Sequence, residues 1–287
     1  MKTGVIHYHE AEFPSLLKEI PDPPELLYFW GDPGLLLTDC VAIVGTRVPT
    51  PYGESLALEW AEKLSAGGLT VVSGLAYGID ACAHRGALKA GGKTIAVVAQ
   101  GISELQPTSH RNLAEKIVDG GGLIISERAP GSVSYKSDYL VRNRLISGLS
   151  RGVVVVEAAA RSGALNTANH AVEQGREVMA VPGRLTDLKS AGTLKLLRDG
   201  AALVGSAEEV AEILDIKLGA KKMLFELSAF EQDLLLLLKE DAQAAAQLAE
   251  IYPQQIGELY QALASLELKG VIRRAGDQRY ALSGGIG

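Results

Sequence analysis

Cysteine is scarce in this sequence of 287 residues, which contains only Cys40 and Cys82. Two cysteines exclude a disulfide framework and a zinc site built from four cysteine ligands. We expect two reduced thiols, as is usual in a reducing compartment. His7 and His9 could share one face of a strand, but no further ligand set accompanies them, so we predict no metal site.

Long apolar runs are also missing. The longest ones, such as Val153–Val156 and Leu234–Leu238, are much shorter than the roughly 18 residues that a membrane-spanning helix needs. The first four residues, Met-Lys-Thr-Gly, lack the basic start and apolar core of a secretory signal. We therefore expect a cytoplasmic protein without a membrane span.

Positive charge is not in excess, because 28 Lys and Arg residues stand against 34 Asp and Glu residues, a net charge of −6. This balance disfavours proteins that bind duplex DNA through an overall basic surface. Residues 125–161 are a local exception, with six basic side chains against three acidic ones. A basic surface for a polyanion is therefore most plausible in this segment.

Glycine, in contrast, is abundant, with 32 residues, many of which bound short apolar runs. Over residues 40–216 these runs alternate with helical patterns. The predicted strands are Val41–Val44, Thr70–Ser73, Thr94–Ala99, Leu123–Ser126, Val153–Glu157, Val178–Val181 and Ala202–Val204. Continuous apolar strands between helices predict an α/β fold, a Rossmann-like domain with a doubly wound, mostly parallel sheet of about seven strands.

The flanking segments differ in composition from this domain. Residues 1–39 are acidic and rich in proline, and are too few to enclose a core of their own. We predict an N-terminal extension packed on the core, with a short helix near Phe13–Ile20 and extended chain through Leu26–Trp30. Residues 217–226 are predicted to be a linker.

Residues 227–283 are predicted to form a small winged helix-turn-helix domain, with three helices followed by a β-hairpin. The predicted helices are Ala229–Lys239, Ala242–Ile251 and Pro253–Lys269, and the hairpin turns at Gly276-Asp277. The third helix has little basic charge at its start, although the wing carries three arginines. A helix that binds duplex DNA needs cations at its start to contact the phosphates. We therefore favour a protein-contact role for this domain, while duplex DNA binding stays open.

The sequence contains neither of two common nucleotide-binding motifs in a functional form. The first strand leads into Gly45-Thr46-Arg47, which is not the glycine pattern of a dinucleotide site. Gly92-Lys93-Thr94 precedes a strand instead of following one, which would put a phosphate loop at the wrong end. We therefore predict no bound nucleotide cofactor.

Small and hydroxylated residues follow several predicted strands. They are Gly45-Thr46-Arg47, Ser73-Gly74, Ser162-Gly163 with Thr167 beyond, and Pro182-Gly183-Arg184. Parallel strands bring such turns to one edge of the sheet, where backbone N–H groups and helix N-termini can bind anions. A doubly wound fold also needs such turns for geometric reasons alone, but four of them together with an arginine favour a phosphate-binding surface.

A second signal is the segment Tyr135–Arg144, which combines aromatic side chains, Lys136 and the sequence Arg142-Asn143-Arg144 at the start of a helix. Aromatic rings can stack on unpaired bases while cations contact the backbone. The alternative is a solvated helix face with structural ion pairs. Because residues two apart do not share a helix face, we expect one arginine at the ligand edge and the other in the fold.

These motifs, taken in order, resemble the DNA-processing protein A family (DprA, also called Smf). The quoted motifs are Val41–Arg47, Ser73–Asp80 with Ala83-His84, Gly121–Leu123, Ser126-Glu127, Arg142–Arg144, Glu157-Ala158, Ser162–Ala164, Arg176–Val178 and Val181–Gly183. The resemblance covers about residues 26–206. Two departures from the family pattern are Tyr139-Leu140 in place of Phe-Pro, and Tyr77 where an arginine often stands.

The resemblance implies a single-stranded DNA-binding protein and not an enzyme, so no catalytic residue is expected. It implies that the protein protects incoming single strands, loads a RecA-type recombinase in natural transformation and recombination, and dimerises through the Rossmann-like domain. The expected DNA-binding residues are Gly45, Thr46, Arg47, Ser73, Gly74, Lys136, Tyr139, Arg142, Asn143, Ser162, Gly163 and Thr167.

Two other functions stay open. One is nucleotide binding or hydrolysis of a nucleotide N-glycosidic bond, because related Rossmann-like folds perform that reaction. The other is a transcription regulator that binds DNA through the winged helix. The resemblance leaves the dimer surface and the recombinase contact unspecified.

Overall fold

The computed structural model describes residues 2–219, 228–240, 242–269, 271–274 and 279–282. The chain divides into two compact units, Met1–Gly219 and Ala220–Gly287. Most of the predicted linker, the hairpin turn at Gly276-Asp277 and the glycine-rich end lie outside the described residues. Within the described residues, every helix is too short or too polar to cross a membrane.

The first unit is built on one nine-stranded sheet. Its strands are β1 (Thr3–His7), β2 (Leu26–Gly31), β3 (Cys40–Val44), β4 (Thr70–Ser73), β5 (Thr94–Val97), β6 (Leu123–Ser126), β7 (Gly152–Val155), β8 (Glu177–Ala180) and β9 (Ala202–Leu203). The spatial order is β1-β2-β6-β5-β4-β3-β7-β8-β9. The seven strands from β6 to β9 in this order are parallel, which confirms the predicted α/β fold with a mostly parallel sheet.

Helices cover both faces of the sheet, and most of them connect parallel strands. They are α1 (Ser15–Lys18), α2 (Pro51–Ala66), α3 (Ile79–Lys89), α4 (Arg111–Asp119), α5 (Lys136–Gly148), α6 (Gly163–Glu173), α7 (Ala191–Arg198) and α8 (Ala207–Ile213). Strand β3 shows why the sheet is buried on both sides. Val41 and Ile43 belong to one apolar cluster, while Ala42 and Val44 belong to the cluster on the opposite face. Alternate side chains of a strand point to opposite faces, so a strand that is apolar throughout requires two covering layers.

The N-terminal extension does more than pack on the core, because it adds two strands to the sheet. Strand β2 pairs antiparallel with β6, and β1 pairs antiparallel with β2. The extension also packs closely on α5, since a Cβ atom on Gly148 would lie 2.7 Å from Leu17 Cδ1. Leu17 and Leu27 are fully buried there. The sequence analysis did not predict this strand pairing.

The second unit contains three helices and a small antiparallel sheet. The helices are α9 (Ala229–Glu240), α10 (Ala245–Ile251) and α11 (Ile256–Leu268), and the strands are β10 (Gln243–Ala244), β11 (Ile272–Arg274) and β12 (Arg279–Leu282). The sheet order is β10-β12-β11. The third helix begins at Ile256 instead of Pro253, and β10 was not predicted. The assignment of this unit as a winged helix stays a prediction.

Candidate functional site

A cleft lies at the carboxyl edge of the parallel sheet, where the strand order reverses between β3 and β7. We call it the rim cleft. It has a volume of about 380 Å³. Ligands of doubly wound sheets bind at such reversal points, because the helices that follow the two strands leave on opposite faces and open a crevice. The lining residues are Val44, Gly45, Thr46, Arg47, Ala76, Asp80, Tyr139, Leu140, Arg142, Asn143, Ile146, Ala159, Arg161, Ser162, Gly163, Ala164 and Thr167.

The loop after β3 forms one wall, and packing determines its shape. A Cβ atom on Gly45 would lie 2.6 Å from Ile79 Cγ1 and 2.9 Å from the Glu157 carbonyl oxygen, so only glycine fits. The Thr46 amide donates a 2.7 Å hydrogen bond to that same carbonyl. This close packing leaves Arg47 exposed at the mouth of the cleft.

Glu157 also fixes the end of this loop. Its carboxylate accepts hydrogen bonds from the Thr50 amide, at 2.9 Å, and from the Thr50 hydroxyl. Thr50 caps α2 by accepting from the Gly53 amide at 3.1 Å. The backbone that carries Arg47 is therefore held at both ends by hydrogen bonds to one residue.

Two guanidinium groups lie near one aromatic ring in the rim cleft. The Arg47 Cζ atom is 5.6 Å from the centroid of the Tyr139 ring, and the Arg142 Cζ atom is 6.0 Å from it. Both distances are within cation–π range. The Tyr139 hydroxyl accepts a 3.1 Å hydrogen bond from Ser134 Oγ. An aromatic ring beside two positive charges is suited to a ligand that has both bases and phosphates.

Arg142 is part of the fold as well as of the cleft wall. Only 6% of this residue is exposed, and its guanidinium donates to the carbonyls of Gly74, at 2.8 Å, and Val97. Burial lowers the pKa of Arg142 to about 10, which leaves the side chain charged at neutral pH. Its orientation is thus set by backbone carbonyls before any ligand binds.

Asp80 is the buried counter-charge of Arg142. Its carboxylate accepts from the amides of Gly74, at 3.1 Å, and Ala76, at 3.4 Å. Burial raises the pKa of Asp80, and the nearby Arg142 charge opposes that rise. The two charged groups crowd Gly74, where a Cβ atom would lie 2.7 Å from both Arg142 Nη1 and Asp80 Oδ2.

The third wall is the start of α6. Ser162 caps this helix by accepting from the Ala164 amide at 3.3 Å. Asn143 donates to the Gly163 carbonyl at 3.3 Å and to Asn166 Oδ1 at 3.0 Å, which links α5 to α6. A Cβ atom on Gly163 would meet nothing within 4 Å, so the helix begins in open space at the cleft. The positive end of the helix dipole favours an anion at this position.

The structure brings nine of the twelve predicted site residues together in this lining and leaves three outside it. Ser73 is fully buried and donates a 2.7 Å hydrogen bond to the Ile43 carbonyl. Gly74 is buried under Arg142 and Asp80. Lys136 is exposed as the first residue of α5. The first two residues therefore shape the cleft from below and do not line it.

Arg161 lines the cleft but was not among the predicted site residues. The signal for it was present, since it immediately precedes Ser162-Gly163 within the locally basic segment. Arg144, in contrast, points into the fold, with Nε 2.9 Å from Asp22 Oδ2 and Nη2 2.7 Å from Glu127 Oε1. Among the described residues, no group of three or more histidine, cysteine or acidic side chains could hold a metal ion.

Taken together, the fold and the cleft define a Rossmann-like α/β protein with a cleft at the strand-order reversal that is lined by arginines and an aromatic ring. Residues 4–215 match the family described as DNA recombination-mediator protein A, and the chain belongs to this family. The resemblance found in the sequence motifs is thereby confirmed.

Individual relatives agree with this assignment. The chain is 42% identical to DNA processing protein DprA of Bacillus subtilis over 74% of this chain and 71% of the relative. It is 37% identical to protein Smf of Escherichia coli over 92% and 73%.

Solved structures give the same result. DprA of Streptococcus pneumoniae is 38% identical, with a TM-score of 0.70 over 79% of this chain and 76% of that one. DprA of Helicobacter pylori, whose structure was described for its single-stranded DNA binding mode, is 32% identical, with a TM-score of 0.67 over 75% and 96%.

Proposed function

We propose that this protein binds single-stranded DNA in the rim cleft, protects it, and delivers it to a RecA-type recombinase in natural transformation and recombination. The family assignment supports the recombination part of this proposal. The Helicobacter pylori relative, described for its single-stranded DNA binding, supports the ligand. The cleft itself provides the chemistry.

The observation that carries the proposal is the group of Arg47, Tyr139 and Arg142 in the rim cleft. An unpaired base can stack on the Tyr139 ring, while Arg47 contacts the adjoining phosphate. The start of α6 offers a second phosphate position at Ser162 and Gly163. In a duplex the bases are paired and stacked inside the helix, so they cannot reach an aromatic ring in a cleft of this size without being unpaired.

A salt titration on a single strand and on the same sequence as a duplex tests this proposal. We expect tighter binding of the single strand, with affinity that falls steeply as salt rises, because bound phosphates release counterions. Equal affinity for both forms would contradict the proposed site. Binding that does not depend on salt would do the same.

The protein is proposed to act without catalysis. Among the described residues that line the rim cleft, Asp80 alone is acidic. Its carboxylate accepts hydrogen bonds from two backbone amides and is the counter-charge of Arg142. Hydrolysis of a nucleotide N-glycosidic bond needs a carboxylate that can reach the sugar or an attacking water. Incubation with nucleoside monophosphates should therefore release no free base.

Dimerisation through the Rossmann-like unit, a cytoplasmic location and the recombinase contact also belong to this proposal. Sedimentation of the full chain should give twice the mass of 30.3 kDa. Addition of the protein should speed the assembly of RecA filaments on strands already coated by a single-strand-binding protein. A monomer would contradict the proposed dimerisation, and an unchanged rate of filament assembly would contradict the proposed recombinase contact.

A further inference from the structure

Tyr77 is a half-exposed aromatic side chain in the loop between β4 and α3, and it is not part of the rim cleft lining. We propose that Tyr77 is a second base-stacking platform, which extends the path of a single strand from the rim cleft across Arg47. This inference rests on the proposed function, because it adds a position for a further base to the same ligand.

The Tyr77 ring is held in place from two directions. Its hydroxyl forms a 2.9 Å hydrogen bond with Ser109 Oγ, and its ring meets the His110 ring edge to face, with 4.9 Å between centroids. His110 is itself buried, with Nδ1 3.0 Å from the Leu75 carbonyl. The ring is therefore fixed although 50% of the residue is exposed. A fixed ring loses little side-chain freedom when a base stacks on it.

The backbone of this loop is constrained as well. Leu75 is fully buried and adopts a φ of 56°, in the left-handed region that bulky side chains rarely occupy. The next amide, of Ala76, donates to Asp80 Oδ2 at 3.4 Å. The loop thus turns sharply inside the core and then projects the next residue, Tyr77, toward solvent. Buried interactions therefore hold a strained turn, and this turn places the aromatic ring of Tyr77 at the surface.

The loop that carries Tyr77 packs against the loop that carries Arg47. The Ile79 amide donates a 3.2 Å hydrogen bond to the Thr46 carbonyl. A Cβ atom on Gly78 would lie 2.8 Å from the Arg47 carbonyl carbon and would also contact the Thr46 carbonyl oxygen. Gly78, which has a φ of 75°, permits this approach. Tyr77 and Arg47 are therefore presented by touching loops on the same edge of the sheet.

Stacking is the contact that this environment favours. The hydroxyl of Tyr77 is bonded to Ser109 and His110 packs against the ring, so the exposed half of the residue offers a ligand mainly apolar aromatic surface. Such a face binds any base without sequence preference. The neighbouring Arg47 is placed to neutralise a phosphate between two stacked bases.

Photo-crosslinking of the unmutated full chain tests the inference directly. An oligothymidine that carries one 5-iododeoxyuridine per strand, moved along its length in a set of strands, crosslinks to aromatic side chains that stack on the iodinated base. Peptide mapping should give crosslinks to Tyr139 at one position and to Tyr77 at another. Crosslinks to Tyr139 at some position and to Tyr77 at none would overturn the second platform and leave the proposed function standing. Failure to bind any single strand would overturn both.

Variants at Tyr77 give a quantitative test. We expect Tyr77→Leu to weaken binding of a long oligothymidine about tenfold, and Tyr77→Phe to bind within about twofold of the original chain. On a strand whose bases are replaced by abasic sites, Tyr77→Leu should bind as well as the original, because the phosphates remain. Equal binding of oligothymidine by Tyr77→Leu, or an equal loss on both strands, would contradict stacking.

Discussion

The Arg47 guanidinium lies 5.6 Å from the centre of the Tyr139 ring, although 92 positions separate the two residues in the chain. This contact joins the loop after β3 to the first turns of α5. Arg47 is exposed and Tyr139 is half-buried, and both line the rim cleft and not the apolar core.

Arg47→Ala should weaken single-stranded DNA binding while the protein stays folded, because Arg47 is exposed at the cleft mouth. The loss of one phosphate contact should make the negative slope of log affinity against log salt shallower by about 0.7. Fluorescence anisotropy with labelled oligothymidine across a salt series measures this slope. As a matched control, Lys217→Ala removes one positive charge outside the rim cleft lining and should change the slope less.

Tyr139→Leu should weaken oligothymidine binding by about 1–2 kcal/mol, since base stacking on an aromatic ring contributes that much. Tyr139→Phe keeps the ring and loses the bond to Ser134, so its affinity should stay close to the original. Equal losses in the two variants would mean that the hydroxyl, and not the ring face, makes the contact.

Arg142→Met should destabilise the protein by about 3 kcal/mol, because it leaves the buried Asp80 carboxylate without its counter-charge and two carbonyls without a donor. Urea unfolding at neutral pH measures the loss. The double variant that also carries Asp80→Asn should recover part of the stability. If the double variant is as unstable as both losses added, the two side chains do not act as a pair.

The buried His84 should make stability fall as the pH drops below about 6.5. Burial lowers its pKa from 6.5 to about 3 in the folded chain, so the unfolded state binds one more proton over that interval. The state that binds more protons is stabilised relative to the other as the pH falls, by about 1.4 kcal/mol per pH unit for one group. Urea unfolding between pH 7 and pH 5 should show this loss.

His84→Asn is the control for this pH effect. Asparagine can still bond to Thr94 Oγ1, which lies 2.8 Å from His84 Nδ1, and it does not titrate. The variant should show a flatter stability profile over the same interval. An unchanged slope would assign the pH dependence to other groups.

Deletion of residues 220–287 should leave most of the single-strand affinity intact, because the rim cleft lies wholly within the first compact unit. Regulation through a winged helix predicts the opposite, a loss of DNA binding on deletion. The same anisotropy assay distinguishes the two outcomes, with circular dichroism to verify that the shortened chain is folded.

The sequence predicted the parallel sheet well because apolar runs such as Val41–Val44 have no polar face and need cover on both sides. It could not predict that Leu26–Gly31 pairs with β6, since backbone hydrogen bonding at a sheet edge leaves no pattern in the side chains. Asp80 and His84 lie four residues apart on α3, a spacing that allows a direct hydrogen bond, but their hydrogen bonds go elsewhere. Each residue binds a different segment, Asp80 the amides of Gly74 and Ala76 and His84 the hydroxyl of Thr94.

Residues of the candidate site were predictable where the type of side chain determines their role, and less so where burial determines which way the side chain points. Arg47 and Tyr139 were predicted from their charge and their aromatic ring, and both line the cleft. Ser73 was predicted to bind phosphate because hydroxyls at strand ends often do, yet its hydroxyl donates to the Ile43 carbonyl. Only the register of β4 against β3 decides which way that hydroxyl points.

The bond from Arg144 to Asp22 has a consequence for proteolysis. Helix α5 carries Tyr139, Arg142 and Asn143 at the cleft. The next residue, Arg144, bonds to Asp22 of the N-terminal extension, and Gly148 of the same helix packs against Leu17. Cleavage between Asp22 and β2 would therefore separate both Leu17 and Asp22 from the main part of the chain, and a cut outside the cleft would weaken the support of the helix that lines it.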